Sequence, residues 1–574
     1  MAADNETIAA VFDELADLHE IEGDNPFRVR AYRNAARTLR GLGREAAQLL
    51  AAGEDLTRLP GIGRELAAKI AEIVATGTCA ALERARARVP HGLVELLHVP
   101  GLGPVRVRTL HRALGIDSPE ALAEAARAGR LRALPGFGER LEARILEALQ
   151  ARLDQARRFP LHKVEPVVAR LLAYLRHTPG VARVEPAGSF RRRRDTVGDL
   201  DVLAVAADGA AVGDRLAAWE ETAEVLSRGP TRASIVHRDG IQVDLRVVPL
   251  ESFGAAWHYF TGAKAHNIAV RRMGQARGLK INEYGVFRGG ERIAGVDEAS
   301  VYAAVALPWI PPELREDRGE LEAARQGALP RLVERADLRG DLHCHTTASD
   351  GRDDLEAMAR AAQARGLEYL AITEHSRRLR IARGLDERGL LRHFTAIDEL
   401  NARLEGITLL KGVEVDILED GRLDLPDRVL ERCEVVVAAV HSAFGLDAGR
   451  QTRRILRALD HPLVHVLAHP TGRLLGRRPP YAVDLAAVIR RAARNGVWLE
   501  LNANPWRLDL DDVHCRMARD EGARIALSSD AHAAAELDHL RHGIDQARRG
   551  WLEARDVVNT RPLEALRPLL AARR

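Results

Sequence analysis

The chain has 574 residues, too many for one hydrophobic core, so three or four domains are expected, each burying its own interior. A hydrophobic content of 46% with 29% charged residues excludes a largely disordered chain, and the absence of a long apolar run excludes a bilayer-spanning segment. The formal net charge of +3 excludes a global basic field, so nucleic-acid binding would rest on local patches such as Arg191 to Arg194.

The opening residues, MAADNETIAA, lack a basic start followed by an apolar stretch, which makes the cytoplasm the expected compartment. From there to about residue 155 apolar residues recur at helical spacing, interrupted by short Gly-rich breaks. One break recurs: LPGIG at 59–63, VPGLG at 99–103 and LPGFG at 134–138, each followed by an amphipathic segment. A single PGxG is commonly just a helix connection, whereas three copies with the same flanks form an internal repeat. Glycine there permits positive φ and close approach, and the free N–H groups of the next helix form a phosphate site. Gly61, Gly63, Gly101, Gly103, Gly136 and Gly138 are therefore candidate phosphate contacts, and the resemblance of these repeats to helix-hairpin-helix motifs implies that the phosphates are those of a DNA backbone. The four cysteines, Cys79, Cys344, Cys433 and Cys515, lie far apart without a CxxC pair, which predicts small buried residues and no disulfide framework.

From about residue 156 strand-like runs appear. In GSFRRRRDTVGDLDVLAVA, Gly188 and Ser189 precede a turn, and Asp199 and Asp201 open an apolar strand on which alternation puts both on one face. Asp244 in IQVDLRVVP adds a third carboxylate if the two strands are neighbours. Two bare carboxylates about 4 Å apart repel by roughly 4 kcal/mol at an effective dielectric of about 20, so such a cluster binds divalent cations or protonates. Magnesium suits hard carboxylate and phosphate oxygens. The prolines and dense charge of residues 308–340 predict a connector.

Beyond residue 336 apolar strands alternate with helices, which predicts an α/β domain. Nine potential ligands fall at or just beyond the ends of apolar runs: His343, His345, Asp350, His375, Glu414, His441, His469, Asp530 and His532. A further run, VWLELNAN, carries Glu500 and Asn502. In a barrel of parallel strands such ends gather at one face. The set exceeds one tetrahedral shell, so two or three ions of Zn²⁺, Mn²⁺ or Fe²⁺ are expected.

The segments GSFRR, VGDLDV, VDLRVVP and WHYFTGAKAHNIAVR, followed by INEYGVF, resemble the palm and thumb of a family X DNA polymerase, the group that includes DNA polymerase beta. The resemblance implies that Asp199, Asp201 and Asp244 hold two Mg²⁺ or Mn²⁺ ions, with Asp244 beside the primer 3′ hydroxyl. It implies that Gly188, Ser189, Arg192 and Gly198 meet the incoming triphosphate, and that Tyr259, Phe260 and Gly262 pack on its sugar. Asn267 would reach the base and Arg271 the template side. Gln242 stands where polymerase beta has an arginine, and Ala263 where the family often has serine. Lys69, one of five lysines, falls at the position of a lyase nucleophile, with Arg28 and Glu65 nearby in place of lysine-rich surroundings.

The Gly-rich repeats resemble helix-hairpin-helix motifs, and the C-terminal ligand pattern resembles the PHP (polymerase and histidinol phosphatase) domain, a distorted seven-stranded (β/α) barrel. A multidomain α+β and α/β chain follows: a helical domain at 1–80 with the first hairpin, a fingers-like region at 81–155, a nucleotidyltransferase palm at 156–250, a thumb at 251–315, a linker at 316–336 and a PHP domain at 337–574. The implied function is gap-filling DNA synthesis in repair, with a manganese-dependent 3′ to 5′ exonuclease. The expected partners are gapped or nicked DNA and dNTPs, with no membrane and a monomeric chain. Two other readings are a small-molecule phosphatase joined to a nucleotidyltransferase, and a non-catalytic DNA-end scaffold.

Overall fold

The computed structural model describes residues 5–573 apart from positions 43, 87, 90–92, 94, 95, 98, 100, 101, 140 and 147–157. They form two compact units that divide between Arg158 and Phe159.

The first unit is helical, with α1 (Asn5–Glu22), α2 (Pro26–Arg40), α3 (Ala46–Ala51), α4 (Arg64–Thr76), α5 (Ala80–Arg86), α6 (Pro104–Leu114) and α7 (Pro119–Arg127). Helix α2 starts where it does because the Asn25 side chain accepts from Phe27 N and Pro26 supplies a pre-set φ. Ile8, Phe12, Leu15, Leu39, Ile70 and Ile73 are fully buried at its centre. The three hairpins share one turn: Ile62 N donates to Leu59 O at 3.1 Å, Leu102 N to Val99 O at 2.9 Å and Phe137 N to Leu134 O at 3.0 Å. Gly61 and Gly136 sit at φ +75° and +80°, which the third position of such a turn requires. Gly101 lies outside the described residues.

The second unit contains a mixed five-stranded sheet of β1 (Val181–Pro186), β2 (Asp199–Ala206), β3 (Thr222–Arg228), β4 (Arg232–His237) and β5 (Gln242–Val248), in the order β1-β2-β5-β4-β3. Leu200, Val202 and Ala204 of β2 pack on one face with residues of α8 (Leu161–Arg176) and α9 (Gly209–Ala217). Leu203 and Val205 face the other way, against Phe253 and Ala256 of α10 (Phe253–Thr261). Asp199 and Asp201 share that second face, beyond the cover of α10. A thumb follows, with α11 (Lys264–Gln275), an antiparallel sheet of β6 (Leu279–Asn282), β7 (Gly285–Arg288) and β8 (Glu291–Ala294), and α12 (Glu298–Ala304).

The segment expected to be a connector is packed instead. Leu314, Ala324 and Leu332 join the thumb core together with Trp551. Its charges are compensated inside the protein: Arg315, fully buried, donates to both oxygens of Glu298, and buried Glu320 meets His266 Nδ1 at 2.6 Å. Charge density marks a solvated linker only when the partners are solvent, and here several of them are residues of the palm, thumb and barrel.

Seven parallel strands complete the unit: β9 (Gly340–Cys344), β10 (Tyr369–His375), β11 (Thr408–Asp416), β12 (Val435–Ala439), β13 (Val466–Leu467), β14 (Trp498–Asn502) and β15 (Ile525–Ser528), paired in chain order. The first strand meets the segment after the last, with Asp530 N on His343 O at 3.0 Å and His345 N on Ala531 O at 2.9 Å, so the barrel is nearly closed. Aspartates 354, 386, 447, 484 and 511 cap the helices that follow them, each accepting from the backbone three residues on. Tyr369 and Ala371, Leu410, and Val435, Val437 and Ala439 form one core with Leu566 and Leu570 of the last helix. Strand alternation then carries the same face upward to His375, Glu414 and His441, so apolar packing at one end of the barrel turns into ligands at the other. All four cysteines are buried, and none forms a disulfide.

Candidate metal centres

Strands β2 and β5 run parallel with Asp201 paired to Asp244 and Asp199 to Gln242, which brings the three carboxylates of the sequence reading to one place. Gln242 Nε2 donates to Asp244 Oδ2 at 2.8 Å, and Ser234 Oγ donates to Asp244 Oδ1. Burial, then Asp199, then Asp244 push the Asp201 carboxyl up to about 7. Carboxylates crowded in this way favour a proton or a cation, and the donor set fits divalent ions. Gly188 has φ +59°, and a Cβ built on it would meet Asp201 Oδ2 at 2.0 Å. Only glycine lets the GS turn lie against that carboxylate.

Ser189 Oγ is buried without a partner, as a phosphate contact would leave it. Gly198 is half-buried in the turn before Asp199. Tyr259 and Phe260 are half-buried at the end of α10, and Asn267 Nδ2 donates to Tyr259 O at 2.6 Å and Gly262 O at 3.1 Å. A Cβ on Gly262 would meet Asn267 Oδ1 at 2.4 Å. Arg271 is exposed on α11.

The basic run Arg191 to Arg194, expected to offer a patch to nucleic acid, is consumed within the protein. Arg191 donates to both oxygens of Glu298, at 2.7 and 2.8 Å. Arg192 donates to Glu316 at 2.9 Å and to Thr261 O at 2.8 Å, so a triphosphate would have to draw it away from Glu316. Arg193 bridges Glu165 and Asp545, and Arg194 reaches Glu316 at 3.5 Å. Although burial opposes it, Arg549, Arg192 and Arg194 hold Glu316 down to about 2. These arginines tie the palm to the thumb, to the segment after it and to the barrel.

At the barrel's ligand end all nine sequence-predicted residues converge. His343 Nε2 and His345 Nε2 face each other at 3.2 Å, and His345 Nε2 is 3.5 Å from Glu414 Oε2 and 3.4 Å from Asp530 Oδ1. His375 and His532 each approach Asp350 at 3.4 Å, while His441 and His469 approach Glu414 Oε1 at 3.2 and 3.1 Å. Their ligand atoms lie close enough together in groups of three and four to hold metal ions, and mixed imidazole and carboxylate donors suit transition-metal cations.

Outer partners set the imidazole tautomers. His343 Nδ1 meets Glu500 at 2.7 Å, His441 Nδ1 meets Asp416 at 2.9 Å, and His532 Nδ1 meets Asp530 O at 2.9 Å, which leaves each Nε2 for the centre. Asn502 holds Asp530 Oδ2 at 3.0 Å. Asp416 and Arg507, whose Nε lies 3.4 Å from Asp530 Oδ2, were not singled out by the sequence reading. Asp416 was signalled by its place two residues after Glu414 on the same strand face; Arg507, on a loop, carried no signal. Against burial, Glu500, Glu414 and Asp530 hold His343 well above the usual imidazole range, and Glu414 and Asp350 raise His375 to about 10. Burial, then His375 and His532, push His345 down to about 4.

In the helical unit, Gly63 and Gly103 precede α4 and α6, and no side chain caps either helix start. Lys69 on α4 pairs with Glu65 and lies over the Tyr32 ring, 5.8 Å from its centroid.

The palm can support in-line phosphoryl displacement and the barrel phosphoester hydrolysis. Residues 3–79 match a helix-hairpin-helix domain, 93–151 a SAM-like helix-hairpin-helix tandem, 256–316 the DNA polymerase beta thumb and 341–504 the PHP domain. Over 567 residues, 98% of each chain, the protein is 37% identical to the Bacillus subtilis protein named DNA polymerase/3′-5′ exonuclease PolX. The C-terminal part is also similar to proteins named probable phosphatases. The one from Syntrophotalea carbinolica is 31% identical over 230 residues, 38% of this chain and 90% of that one; the one from Edwardsiella ictaluri is 30% identical over 237 residues, 39% and 91%. The chain belongs to the PolX family of family X DNA polymerases with a C-terminal PHP domain.

Proposed function

We propose that the palm adds dNTPs to the primer strand of gapped or nicked DNA, and that the barrel removes nucleotides from a 3′ end. The observation that carries this reading is the presence, in one chain, of three neighbouring carboxylates on β2 and β5 and, in the barrel, of eight of the nine expected residues in groups able to hold a metal ion, with His469 3.1 Å from Glu414.

In this reading Asp199, Asp201 and Asp244 hold two ions, Mg²⁺ or Mn²⁺, with Asp244 beside the primer 3′ hydroxyl. Gly188, Ser189 and Gly198 receive the triphosphate, joined by Arg192 when it leaves Glu316. Tyr259, Phe260 and Gly262 pack on the nucleotide sugar, Asn267 faces its base and Arg271 the template. In the barrel, His343, His345, Asp350, His375, Glu414, His441, His469, Asp530 and His532 hold two or three ions of Mn²⁺, Zn²⁺ or Fe²⁺. When bound, the ions neutralise phosphate charge and activate the attacking oxygen at neutral pH. The protein's own part is to aim the imidazoles through Glu500 and Asp416 and to place Arg507 at the rim. The hairpin glycines hold DNA backbone without reading sequence. Lys69 is assigned no step, because Glu65 engages its amine. The enzyme acts as a monomer in the cytoplasm; no helix among the described residues is long and apolar enough to cross a membrane.

A one-nucleotide-gapped duplex labelled on the primer tests both halves. Extension with dNTPs, and Mn²⁺-dependent shortening without them, are the expected results. Absence of both would favour the scaffold reading, or the small-molecule phosphatase suggested by relatives that match only the barrel.

A further inference from the structure

After the ligand His375 the chain leaves β10 through a short loop, residues 377–384, that the metal chemistry does not use. Ile381 stands at its tip on a single turn, Arg380–Ala382, and is 94% exposed, more than any other large hydrophobic among the described residues. Arg377, Arg378, Arg380 and Arg383 around it are all exposed. Among the described residues the one ion pair these four make is a long one, Arg377 to Asp424 at 3.7 Å.

The loop is built to hold its tip in place. Leu385 N donates to His375 O at 2.7 Å and Gly384 N to Leu379 O at 3.1 Å, and Ser376 bridges Leu385. A Cβ on Gly384 would meet Ser376 O at 2.0 Å, so the two ends are pressed together. Ala382 is buried beside the tip as an anchor. An isoleucine kept in water forfeits the free energy its burial would give, and a rigid loop cannot fold it away.

The neighbouring site makes one occupant fit. His343 and His345 are fully buried, which suits a single-stranded 3′ terminus better than the wider end of a paired duplex. Arg378, Arg380 and Arg383, with Arg377 only loosely held by Asp424, suit backbone phosphates, and a lone apolar side chain among them is far too small a surface for a protein partner. Apolar side chains inserted at a base step unstack it.

We propose that this loop is a strand-separating wedge: the arginines grip the phosphates of a duplex end, Ile381 enters the terminal base step, and the freed 3′ strand passes to the metal cluster. The proposal rests on the reading of the barrel as a 3′ to 5′ exonuclease.

The test uses the full chain with Mn²⁺ on three substrates: a blunt duplex, a single strand of the same 3′ sequence, and bis(4-nitrophenyl) phosphate, which has no strand to open. Ile381→Ser is expected to slow trimming of the paired end by roughly tenfold. It should leave the single strand and the small diester within about twofold of wild type. Arg380→Ala with Arg383→Ala should raise KM for both DNAs and flatten the salt dependence of binding by about one to two counterions. Equal slowing on paired and single strands, or none on the paired end, would overturn the wedge. A second readout does not need hydrolysis: 2-aminopurine at the 3′ terminus of the duplex, in EDTA, should brighten with wild type and stay dim with Ile381→Ser. Equal brightening would also overturn the wedge. Should wild type cleave the small diester and neither DNA, the exonuclease reading fails, and the fluorescence decides the wedge by itself.

Discussion

Replacing Gly188 with alanine should slow synthesis by roughly 10²-fold while sparing the nuclease. The new Cβ would lie 2.0 Å from Asp201 Oδ2, 3.0 Å from its Cγ and 3.2 Å from its Cβ, so the carboxylate itself must move. The backbone adds to the cost, since alanine at φ +59° is disfavoured by about 1–2 kcal/mol. A displacement of about 1 Å in a positioned catalytic group costs roughly 10²-fold in rate, which corresponds to about 2.7 kcal/mol in the barrier. The assay is single-nucleotide extension of a gapped primer at saturating dNTP, with Mn²⁺-dependent 3′ trimming as the control for folding. Extension within about threefold of wild type would refute the claim that Gly188 sets the position of Asp201.

Asp201→Asn should end synthesis, yet stabilise the metal-free protein at alkaline pH. The carboxyl is pushed up to about 7, above its value in an unfolded chain, so its contribution to stability is present at low pH and is lost as pH rises through about 7. In EDTA the variant should gain roughly 1–4 kcal/mol over wild type at pH 8 and almost nothing near pH 4; a pH-independent difference would contradict the crowding argument. Arg193→Ala should lower the denaturation midpoint by leaving Glu165 and Asp545 facing each other, at a cost of about 1–3 kcal/mol. Lysine at position 193 should recover only part of it, because one ammonium cannot reproduce the guanidinium fork.

Much of both centres was legible because strand alternation is a strong rule. Asp199 and Asp201 two residues apart, and His375, Glu414 and His441 in step with the apolar residues before them, declare a shared face without any structure. Alternation cannot say which strands are neighbours, so the pairing of Asp201 with Asp244 required the parallel register of β2 and β5. The arginine run was misread for a related reason. Its partners, Glu298, Glu316 and Asp545, lie more than a hundred residues away in sequence, and a run of like charge looks solvated until its counter-charges are located. The same holds within residues 308–340, where Arg315, Glu316 and Glu320 find their partners inside the fold while charges such as Glu322, Arg325 and Arg331 stay exposed. Arg507 gave no signal, because a loop residue near a site obeys no periodicity.

Two double variants on one labelled gapped substrate test the central claim of two separate centres. Asp199→Ala with Asp201→Ala should lose primer extension and keep Mn²⁺-dependent shortening, while His343→Ala with His345→Ala should do the reverse. Loss of both activities in either folded variant would contradict the assignment of synthesis to the palm and hydrolysis to the barrel.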